Sequence, residues 1–370
     1  MSNSAAVSNG NGTVPYFEIE NTSIPTVPKD RILVKTVAFA INPTDWKHLA
    51  YKRGPKGAIV GSDLSGIIEE VGSGVSGFSK GDIVGAWAHG GYEKGIGAFQ
   101  QYAIVHPSQT IKFPKSEIDV EKVVAVGDAP SGPIDTFEGA ASVPLGLSTV
   151  GMSFANQLKL KVENKSSYAD KYILIWGGAT ATGILAIQVA KVVYGLKVIA
   201  AASKRNSDFL TSLGADFVVD YSDADAVAQI KKIGAGKIYY GFDTISYKTT
   251  FQALYDATSE TDGPVVLDNL LGLNASSIET DESKTNVRYG STLAYLVTGE
   301  TVNIGKGPIP PPKDLVKDYN QFWFKVLPSY LPKLKHSGLK VLKPGLESAA
   351  EGLALSQENK VKAQKIVFRG

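Results

Sequence analysis

Residues 172–188 read YILIWGGATATGILAIQ: an apolar run stops at two glycines, and a third glycine follows five residues later. The apolar run predicts a buried strand, and the small and apolar residues after Gly183 predict a helix. An anion binds well at such a junction because the first N–H groups of the helix point at it. Gly178 permits the tight turn and Gly183 lets the helix pack close to the strand, while Thr180 stands where a middle glycine is expected.

After this turn the chain alternates between strand and helix patterns. Strands are predicted at 197–202, 216–221, 237–243 and 264–270, and helices at 206–213 and 224–232. The alternation predicts a doubly wound parallel sheet. The glycine turn is a weak motif alone, but inside a strand–helix–strand unit it favours a dinucleotide. The hydroxyl of Thr180 is a further candidate donor to the phosphate.

The end of the second predicted strand indicates which dinucleotide to expect. An NAD site places a carboxylate there to accept a hydrogen bond from the ribose 2′-hydroxyl. This chain reads AAASKRNSD (200–208), with Ser203, Lys204 and Arg205 in that place and no acid before Asp208. A hydroxyl and two cations suit a 2′-phosphate, so the predicted cofactor is NADPH/NADP+. The alternative is a solvated charged turn.

Composition excludes several classes of site. None of the 370 residues is cysteine, which rules out disulfides, thiolate nucleophiles and thiolate metal ligands. The 38 basic and 36 acidic residues give a net charge of +2, which argues against nucleic acid or an anionic membrane as a partner. No targeting segment or membrane span is recognisable, so a cytoplasmic location is expected. Residues 1–13 are polar and are expected to be frayed.

Both ends of the chain differ in pattern from its middle. Short apolar runs broken by glycine occur at 32–41, 61–72, 82–88 and 98–105, and they predict a twisted, barrel-like β domain. Residues 300–370 hold a Pro-rich loop, an aromatic helix and a final strand, and are expected to complete this first domain. The predicted domains are therefore 1–147 with 300–370, and 148–299.

Several motifs together resemble one superfamily. The stretch GSDLSGIIEEVGSGVSGFSKGDIVGA (61–86) resembles the signature of the medium-chain dehydrogenase/reductases, and ILVKTVAFAINPTDWKH (32–48), ASVPLGLSTVG (141–151) and GADFVVDY (214–221) follow in the matching order. NPTDWKH and WGGATATG resemble the fungal zinc-independent branch of quinone-oxidoreductase-like proteins and trans-acting enoyl reductases. The resemblance implies a GroES-like catalytic domain interrupted by a Rossmann domain, with the cofactor in the cleft between them.

The zinc ligands of related proteins are not matched in this chain. Zinc-containing members have an early cysteine and a Gly-His-Glu; here the first position falls near Asn42 and the second reads Gly61-Ser62-Asp63. Neither Asn42 nor Ser62 is a credible zinc ligand, and the four histidines lack paired ligand spacing, so no metal site is predicted. Without a Lewis acid, hydride goes more easily to a conjugated acceptor, where charge spreads over an enolate or quinol.

The segment around Asn42 supplies the first candidate residues. Pro43 pushes Asn42 toward an extended conformation, and Thr44 is expected to cap a short helix that starts at Asp45. In the resembling enoyl reductases a lysine at the position of Lys47 faces the cofactor cleft, which implies contact with the cofactor ribose or the substrate carbonyl. The alternatives are a surface lysine and an Asn42 that only fixes the loop.

The resemblance also implies cofactor contacts further along the chain. Thr149 lies beneath the nicotinamide in family members, and Tyr221 lies near the adenosine. The segment LAYLVTGE (293–300) resembles the strand that passes the carboxamide. The candidate catalytic residues are Asn42, Lys47 and Thr149. The candidate cofactor-binding residues are Pro43, Lys47, Thr149, Gly178, Ala179, Thr180, Ala181, Thr182, Gly183, Ser203, Lys204, Arg205, Tyr221, Asp243, Leu270, Leu296, Val297 and Thr298.

The glycine-rich loop 86–99 is a candidate mobile rim of the acceptor slot, with Trp87, His89 and Tyr92 as shaping side chains. The predicted function is NADPH-dependent, metal-independent hydride transfer to a conjugated acceptor, which is an enone or enal, an enoyl group or a quinone. Three alternatives stay open: an aldehyde or ketone reductase, a trans-acting enoyl reductase of a polyketide pathway, and a non-catalytic NADPH-binding protein. Monomer and homodimer are both compatible with the sequence.

Overall fold

The computed structural model of the protein describes residues 2–305 and 307–370. The chain forms two compact units: unit 1 contains the residues up to Leu145, Thr298–Pro310 and Lys335–Gly370, and unit 2 contains Gly146–Val297 and Pro311–Leu334. Among the described residues, no helix has both the length and the apolar composition needed to span a bilayer.

Strands and helices are numbered separately in chain order. The strands are β1 (Ser2–Ser8), β2 (Phe17–Ser23), β3 (Ile32–Ala40), β4 (Asp63–Val71), β5 (Ile83–Trp87), β6 (Tyr102–Val105), β7 (Thr110–Phe113), β8 (Gly127–Ala129), β9 (Gly132–Pro133), β10 (Tyr172–Trp176), β11 (Lys197–Ala201), β12 (Phe217–Val219), β13 (Ile238–Asp243), β14 (Val265–Asn269), β15 (Val287–Ser291), β16 (Val302–Asn303), β17 (Pro308–Ile309), β18 (Lys335–His336), β19 (Gly338–Val341) and β20 (Gln364–Arg369). The α-helices are α1 (Pro43–Ala50), α2 (Phe137–Ala141), α3 (Pro144–Gly151), α4 (Ala181–Gln188), α5 (Ser207–Ser212), α6 (Ala226–Gly234), α7 (Lys248–Ala257), α8 (Leu315–Asn320), α9 (Leu327–Tyr330) and α10 (Ser348–Gln357).

Shorter helical segments complete the list. The 3₁₀ segments are Pro107–Gln109, Val162–Tyr168, Lys204–Asn206, Ala275–Ser277, Ala294–Thr298 and Leu331–Lys333, and the π-helical segments are Met152–Gln157, Val189–Tyr194 and Gln321–Val326.

Unit 2 is built on one parallel sheet. Its strand order is β12-β11-β10-β13-β14-β15, and every neighbouring pair is parallel. The strands are apolar along their length because helices cover both faces, as at Ile173, Leu174 and Ile175 of β10, which are fully buried. The order runs outward from β10 in both directions, so the carboxyl end of β10 lies at the switch point where such sheets bind ligands. The predicted doubly wound parallel sheet is confirmed.

Unit 1 is the β-rich domain that the ends of the chain predict. Its main sheet runs β7-β5-β4-β3-β20-β19-β8, and β6 also pairs with β3. The C-terminal strand β20 pairs antiparallel with β3, so the last segment does return to the first domain. The rings of Phe39, Phe99 and Phe368 contact one another in the core, with centroids 5.2 to 5.6 Å apart. The GroES-like fold of this domain is confirmed.

The first residues of the chain are ordered, contrary to the predicted fraying. Strand β1 pairs antiparallel with β2 along its whole length. Its buried Asn3 side chain is hydrogen-bonded at both polar atoms: Asn3 Nδ2 donates to Gln100 Oε1 at 2.9 Å, and the Tyr102 N–H donates to Asn3 Oδ1 at 2.9 Å. The prediction of fraying, which came from the polar composition, is wrong because the buried polar atoms of Asn3 have hydrogen-bond partners within the fold.

Residues 311–334 lie in unit 2, although their position after residue 300 predicts the first domain. A buried hydrogen bond of 2.8 Å joins the hydroxyls of Ser148 and Tyr319, and Lys159 forms a salt bridge of 2.7 Å with Asp318. The helical pattern of this segment reveals its apolar face but not the surface that the face covers.

The segment 293–300 also differs from its predicted strand. The last strand of the parallel sheet is β15, and residues Ala294–Thr298 form a 3₁₀ helix after it. Leu296 and Val297 are both buried. A short apolar run is compatible with either conformation, so the run itself does not distinguish them.

Candidate functional site

The glycine turn after β10 has the close approaches that require glycine. Gly177 has φ +79°, a left-handed conformation that side chains rarely adopt. A Cβ on Gly183 would lie 2.3 Å from the Gly177 carbonyl oxygen, and one on Gly178 would lie 2.9 Å from Ala200 Cβ. The N–H groups of Gly177 and Gly178 both donate to the Ala201 carbonyl, at 3.0 and 3.1 Å. Glycine is therefore needed at all three positions for α4 to start this close to the sheet.

Thr180 is the N-cap of α4. Its Oγ1 accepts a hydrogen bond of 2.9 Å from the Gly183 N–H and lies 2.9 Å from Thr244 Oγ1. Thr244 in turn donates to the carbonyls of Trp176 or Gly177, at 2.9 and 3.0 Å. Because the Thr244 proton is directed to these carbonyls, the Thr180 hydroxyl donates to Thr244. Thr180 thus holds the turn together, and its contact with a phosphate stays a prediction.

The exposed side of this turn, at the start of α4, is suited to bind an anion. Ala179, Thr180, Ala181 and Thr182 are partly exposed, whereas Gly183 is buried. The first N–H groups of a helix have no intrahelical acceptor, and Thr180 satisfies only the third of them. The N–H groups of Ala181 and Thr182 are left for a ligand, with the positive end of the helix dipole behind them.

The turn after β11 carries two exposed cations. Lys204 and Arg205 are exposed, and within the described part of the chain neither forms a salt bridge. Ser203 is partly buried and its Oγ donates to Tyr221 Oη at 3.1 Å, so these two predicted cofactor residues are neighbours. Tyr221 itself is 51% exposed, which leaves its ring accessible to a ligand.

Asp220 is a residue of this turn that the sequence reasoning missed. Its carboxylate accepts hydrogen bonds from the Lys204 N–H at 2.8 Å and from the N–H and hydroxyl of Ser222 at 2.9 and 2.7 Å. These bonds, first of all the one from the Ser222 hydroxyl, lower the pKa of Asp220 below its ordinary value. The sequence shows an acid at the end of the predicted strand 216–221, but its contact with Lys204 follows from the pairing of β11 with β12.

Asp243 is the last residue of β13, and its side chain, which is fully buried, stabilises the turn that follows. Its Oδ1 accepts from the N–H groups of Ile245 and Ser246, both at 2.9 Å, and its Oδ2 accepts from Thr250 Oγ1 at 2.7 Å. Its side chain is thus bonded within the protein, and its contact with the cofactor stays a prediction. The Ser246 hydroxyl accepts from the Leu270 N–H at 2.8 Å and so ties Leu270 to the same turn.

Thr149 lies on α3 and is 9% exposed, next to Ser148, whose hydroxyl is bonded to Tyr319. Leu296, Val297 and Thr298 lie on the 3₁₀ segment after β15, and its last residue, Thr298, already belongs to unit 1. These positions locate the residues within their own units, and their contacts with cofactor stay predictions.

Helix α1 of unit 1 begins one residue after Asn42, not at Asp45 as predicted. Asn42 is the N-cap with extended backbone, Pro43 occupies the first turn, and the Asn42 N–H donates to Asp45 Oδ2 at 2.7 Å. The Thr44 Oγ1 lies 3.1 Å from His48 Nε2 instead of capping the helix. His48 Nδ1 lies 3.0 Å from the Gly90 carbonyl, which accepts only, so Nε2 accepts from Thr44.

Lys47 lies on α1, and no described residue forms an ion pair with it. Among the described residues it makes no hydrogen bond or salt bridge, and its ammonium lies 5.6 Å from the centroid of the Trp46 ring. Burial lowers the pKa of the Lys47 ammonium below its ordinary value of 10.5. A partly buried cation with no carboxylate nearby is suited to bind an anion or a developing oxyanion.

The positions expected to supply zinc ligands in related proteins hold a buried polar network. Lys365 of β20 donates to Asn42 Oδ1 and to Asp63 Oδ2, the latter at 3.1 Å. Asp63 also accepts from Asn42 Nδ2 and from the Leu145 N–H, both at 2.8 Å. No motif marks Lys365 in the sequence. The one feature that sets it apart is its position, a lysine within the largely apolar strand QKIVF (364–368).

Asp45 belongs to the same network. Its Oδ1 accepts from the Ser62 hydroxyl at 2.5 Å, and it is 1% exposed. Burial raises its pKa from 3.8 to about 7, and the hydrogen bonds from Ser62 and Asn42 oppose this rise. Burial also raises the pKa of Asp63, against the attraction of Lys365. In residues 2–305 and 307–370 no group of three or more His, Asp or Glu side chains is arranged to hold a metal ion.

The loop 86–99 brings two of the scattered histidines together. The His89 ring stacks on Tyr92 with centroids 4.0 Å apart and an interplanar angle of 4°, and the His48 ring lies 5.1 Å from His89. Tyr92 accepts a hydrogen bond of 3.0 Å from the Asn303 N–H. Burial lowers the pKa of His89 well below 6.5, and the neighbouring His48 lowers it further. Trp87 is fully buried on β5.

Comparison with known proteins agrees with this architecture. Residues 28–115 match the family model "Alcohol dehydrogenase GroES-like domain", and residues 181–282 match "Zinc-binding dehydrogenase". An uncharacterised protein of Saccharomyces cerevisiae, YNL134C, is 34% identical over 94% of this chain and 93% of its own length. The trans-enoyl reductase resD of Aspergillus sclerotiorum is 31% identical over 95% of this chain and 96% of its own length.

A solved structure shows the same fold. The CurK enoyl reductase superposes with a TM-score of 0.71 at 16% identity and covers 99% of both chains. Three findings lead to one assignment: the parallel sheet with its glycine turn, the β-rich unit formed by both ends of the chain, and relatives that match almost from end to end. The chain belongs to the medium-chain dehydrogenase/reductase superfamily, whose members are oxidoreductases that bind nicotinamide cofactors.

Proposed function

We propose that this protein is an NADPH-dependent reductase that transfers hydride to a conjugated acceptor, which is an enone or enal, an enoyl group or a quinone. The observation that carries the proposal is the pair of exposed cations Lys204 and Arg205, which have no salt-bridge partner in the described chain. They follow β11, the strand beside the glycine turn.

The cofactor site we propose has two parts. The pyrophosphate binds at the turn 177–183, where a Cβ on Gly183 would collide with the backbone of Gly177 and where α4 begins. The 2′-phosphate binds Ser203, Lys204 and Arg205, since charge-assisted bonds to phosphate are about twice as strong as neutral ones. Three donors stabilise the charged form of the Asp220 carboxylate, so Lys204 and Arg205 offset its charge as well as that of the phosphate.

Bound NADPH supplies the hydride for the reduction. The contribution we propose for Lys47 is to donate a hydrogen bond from its ammonium to the acceptor oxygen as negative charge develops there. Burial lowers the pKa of this ammonium below its ordinary value of 10.5, which makes it a stronger hydrogen-bond donor. No carboxylate among the described residues pairs with this ammonium, so it is available to the acceptor oxygen. A cation attracts an oxyanion more strongly than a neutral carbonyl, and the interaction therefore strengthens as the charge develops.

The choice of a conjugated acceptor rests on the network around Asn42. A simple carbonyl is hard to polarise without a Lewis acid, and the residues at the zinc-ligand positions are amide, hydroxyl and carboxylate groups bonded to Lys365 or to each other. A conjugated system spreads the charge after hydride addition and needs less stabilisation. The likeness to resD favours an enoyl group as one form of this acceptor, and therefore a trans-acting enoyl reductase as the second candidate function.

One assay separates these acceptors. NADPH consumption is measured with the purified protein against an enone, a quinone and a saturated aldehyde at equal concentrations. The proposal expects turnover of the enone or quinone and at least about tenfold less with the aldehyde. A preference for the aldehyde would favour carbonyl reduction, and no turnover with any acceptor would favour a non-catalytic NADPH-binding protein.

A further inference from the structure

Lys365 is withdrawn from solvent, although lysine is among the residues that are rarely buried. Its side chain is 5% exposed and its ammonium contacts two oxygen atoms, Asn42 Oδ1 and Asp63 Oδ2. Both acceptors are themselves buried. A buried ammonium needs such partners, since an unpaired charge in the interior is strongly destabilising.

The partners of Lys365 control the start of helix α1. Asn42 is the N-cap residue, and its side chain is held from two sides: its Oδ1 accepts from Lys365, and its Nδ2 donates to Asp63 at 2.8 Å. Its backbone N–H donates to Asp45 Oδ2 at 2.7 Å. The orientation of the first turn of α1 is thus set by a residue more than three hundred positions later in the chain.

Lys47 lies on this short helix, two residues after Asp45. Within the described chain its ammonium makes no hydrogen bond or salt bridge, and its contact with the Trp46 ring, 5.6 Å from the centroid, is to a residue of the same helix. The position of Lys47 therefore depends on how the helix is anchored.

We propose that Lys365 is a positioning residue: its buried ammonium replaces a bound ion as the internal cation that fixes Asn42, and through Asn42 it places Lys47. Lys365 does not touch the reacting groups, because its own ammonium is engaged in the network. The relevance of this placement for catalysis rests on the function proposed above, but the placement itself does not.

The direct test measures the pKa of the Lys47 amine rather than enzymatic activity. Competitive acetylation of the whole protein at a series of pH values, followed by mass spectrometry, gives the pKa of the Lys47 amine. In the wild type this pKa lies below 10.5 because Lys47 is partly buried. Lys365→Met is expected to move it toward 10.5, since α1 loses its anchor and Lys47 becomes more exposed to solvent. Lys365→Arg, which keeps the charge, is expected to restore part of the shift.

Two further variants make the test decisive. Lys340→Met removes a lysine from the adjacent strand β19, where it forms an exposed ion pair with Asp128, and is expected to leave Lys47 unchanged. If Lys365→Met does not fold, the pair Lys365→Met with Asp63→Asn removes both buried charges together and is used instead. An unchanged Lys47 pKa in a folded variant that lacks the Lys365 ammonium would overturn the proposal.

Measurements of kcat and of the NADPH Kd then distinguish a failure of the positioning role of Lys365 from a failure of the proposed reductase function. With an active wild type, Lys365→Met is expected to lower kcat at least about tenfold while the NADPH Kd changes less than about threefold. A loss confined to NADPH affinity would mean that Lys365 binds cofactor and would overturn the positioning role. An inactive wild type would contradict the proposed function alone, because the acetylation result still decides the placement of Lys47.

Discussion

The ammonium of Lys365 lies 3.1 Å from the carboxylate of Asp63, and the two side chains are 5% and 0% exposed. Asp45 lies in the same buried network, bonded to Ser62 and to the Asn42 N–H but not to a cation. The network therefore contains two carboxylates and one ammonium. Since an unpaired buried carboxylate is costly, Asp45 is the group that holds a proton most readily.

Replacing Asp45 with Asn is expected to stabilise the protein above neutral pH. Burial raises the Asp45 pKa from 3.8 to about 7, so between these values the folded protein binds more protons than the unfolded chain. Stability from this group therefore falls as pH rises through that window. An amide never ionises, and it can accept from the Asn42 N–H while donating to Ser62. The expected gain in the free energy of unfolding at pH 8 is about 1 to 3 kcal/mol.

Urea unfolding at pH 5 and pH 8 checks this prediction, because the advantage of Asp45→Asn should grow with pH. Asp170→Asn serves as a control, since Asp170 sits in an exposed ion pair with Lys237. A variant that is destabilised equally at both pH values would show that the carboxylate is required in its charged form.

Gly183→Ala is expected to damage the cofactor turn. The new Cβ would lie 2.3 Å from the Gly177 carbonyl oxygen and would push α4 away from the sheet. We expect a loss of about 1 to 3 kcal/mol in unfolding free energy and at least about tenfold weaker NADPH binding. Gly132→Ala is the matched control, because its Cβ would meet its nearest atom at 3.6 Å. Calorimetry and NADPH titration of both variants test this, and wild-type behaviour of Gly183→Ala would refute the assigned geometry.

Thr180→Val is expected to lower stability by about 1 kcal/mol through loss of the α4 cap. Valine keeps the shape of threonine but cannot accept from the Gly183 N–H or donate to Thr244. Thr180→Ser keeps the hydroxyl and should behave almost like the wild type. Thermal unfolding of the two variants measures the difference. Equal unfolding temperatures would mean that the hydroxyl does not hold the turn.

The sequence predicted the parallel sheet well because apolar strands and glycine turns are local signals. The strand over residues 172–176 is found as predicted, and the resemblance pointed to the correct superfamily. The roles of polar side chains were harder to predict. Thr180 and Asp243 stand at the expected edge, but partners distant in the sequence, such as Thr244 and Thr250, occupy their polar atoms.

Long-range pairing explains the other misses. Asp220 meets Lys204 only because β11 and β12 are neighbours, and Lys365 meets Asn42 only because β20 returns to β3. The strand β1 is polar by composition yet pairs along its length with β2. Such contacts depend on sheet order, which local patterns do not specify.

Removing both cations after β11 is expected to change cofactor preference. The double variant Lys204→Ala with Arg205→Ala should bind NADPH about 10 to 100 times more weakly, since each charge-assisted bond contributes about 1.5 to 3 kcal/mol and exposure reduces that value. NADH binding should change less than about twofold. Lys232→Ala, an exposed lysine on α6, controls for the loss of positive charge. A parallel loss of NADPH and NADH affinity would place the cations outside the 2′-phosphate site.

Lys47→Met is expected to lower kcat about 100-fold with the preferred acceptor, because the ammonium that stabilises the developing oxyanion is lost. Lys47→Arg should retain part of the activity. Lys56→Met replaces an exposed lysine of the same unit and should leave kcat unchanged. Steady-state kinetics at saturating NADPH measures all three. Wild-type kcat in Lys47→Met would remove Lys47 from the mechanism.

Titration of the wild-type protein with NADPH and with NADH, followed by the fluorescence of the reduced nicotinamide, tests the central claim most directly. Binding of the 2′-phosphate by Ser203, Lys204 and Arg205 predicts that NADPH has a Kd at least about tenfold lower than NADH at moderate ionic strength. Equal affinity for the two nucleotides, or tighter binding of NADH, would contradict the account.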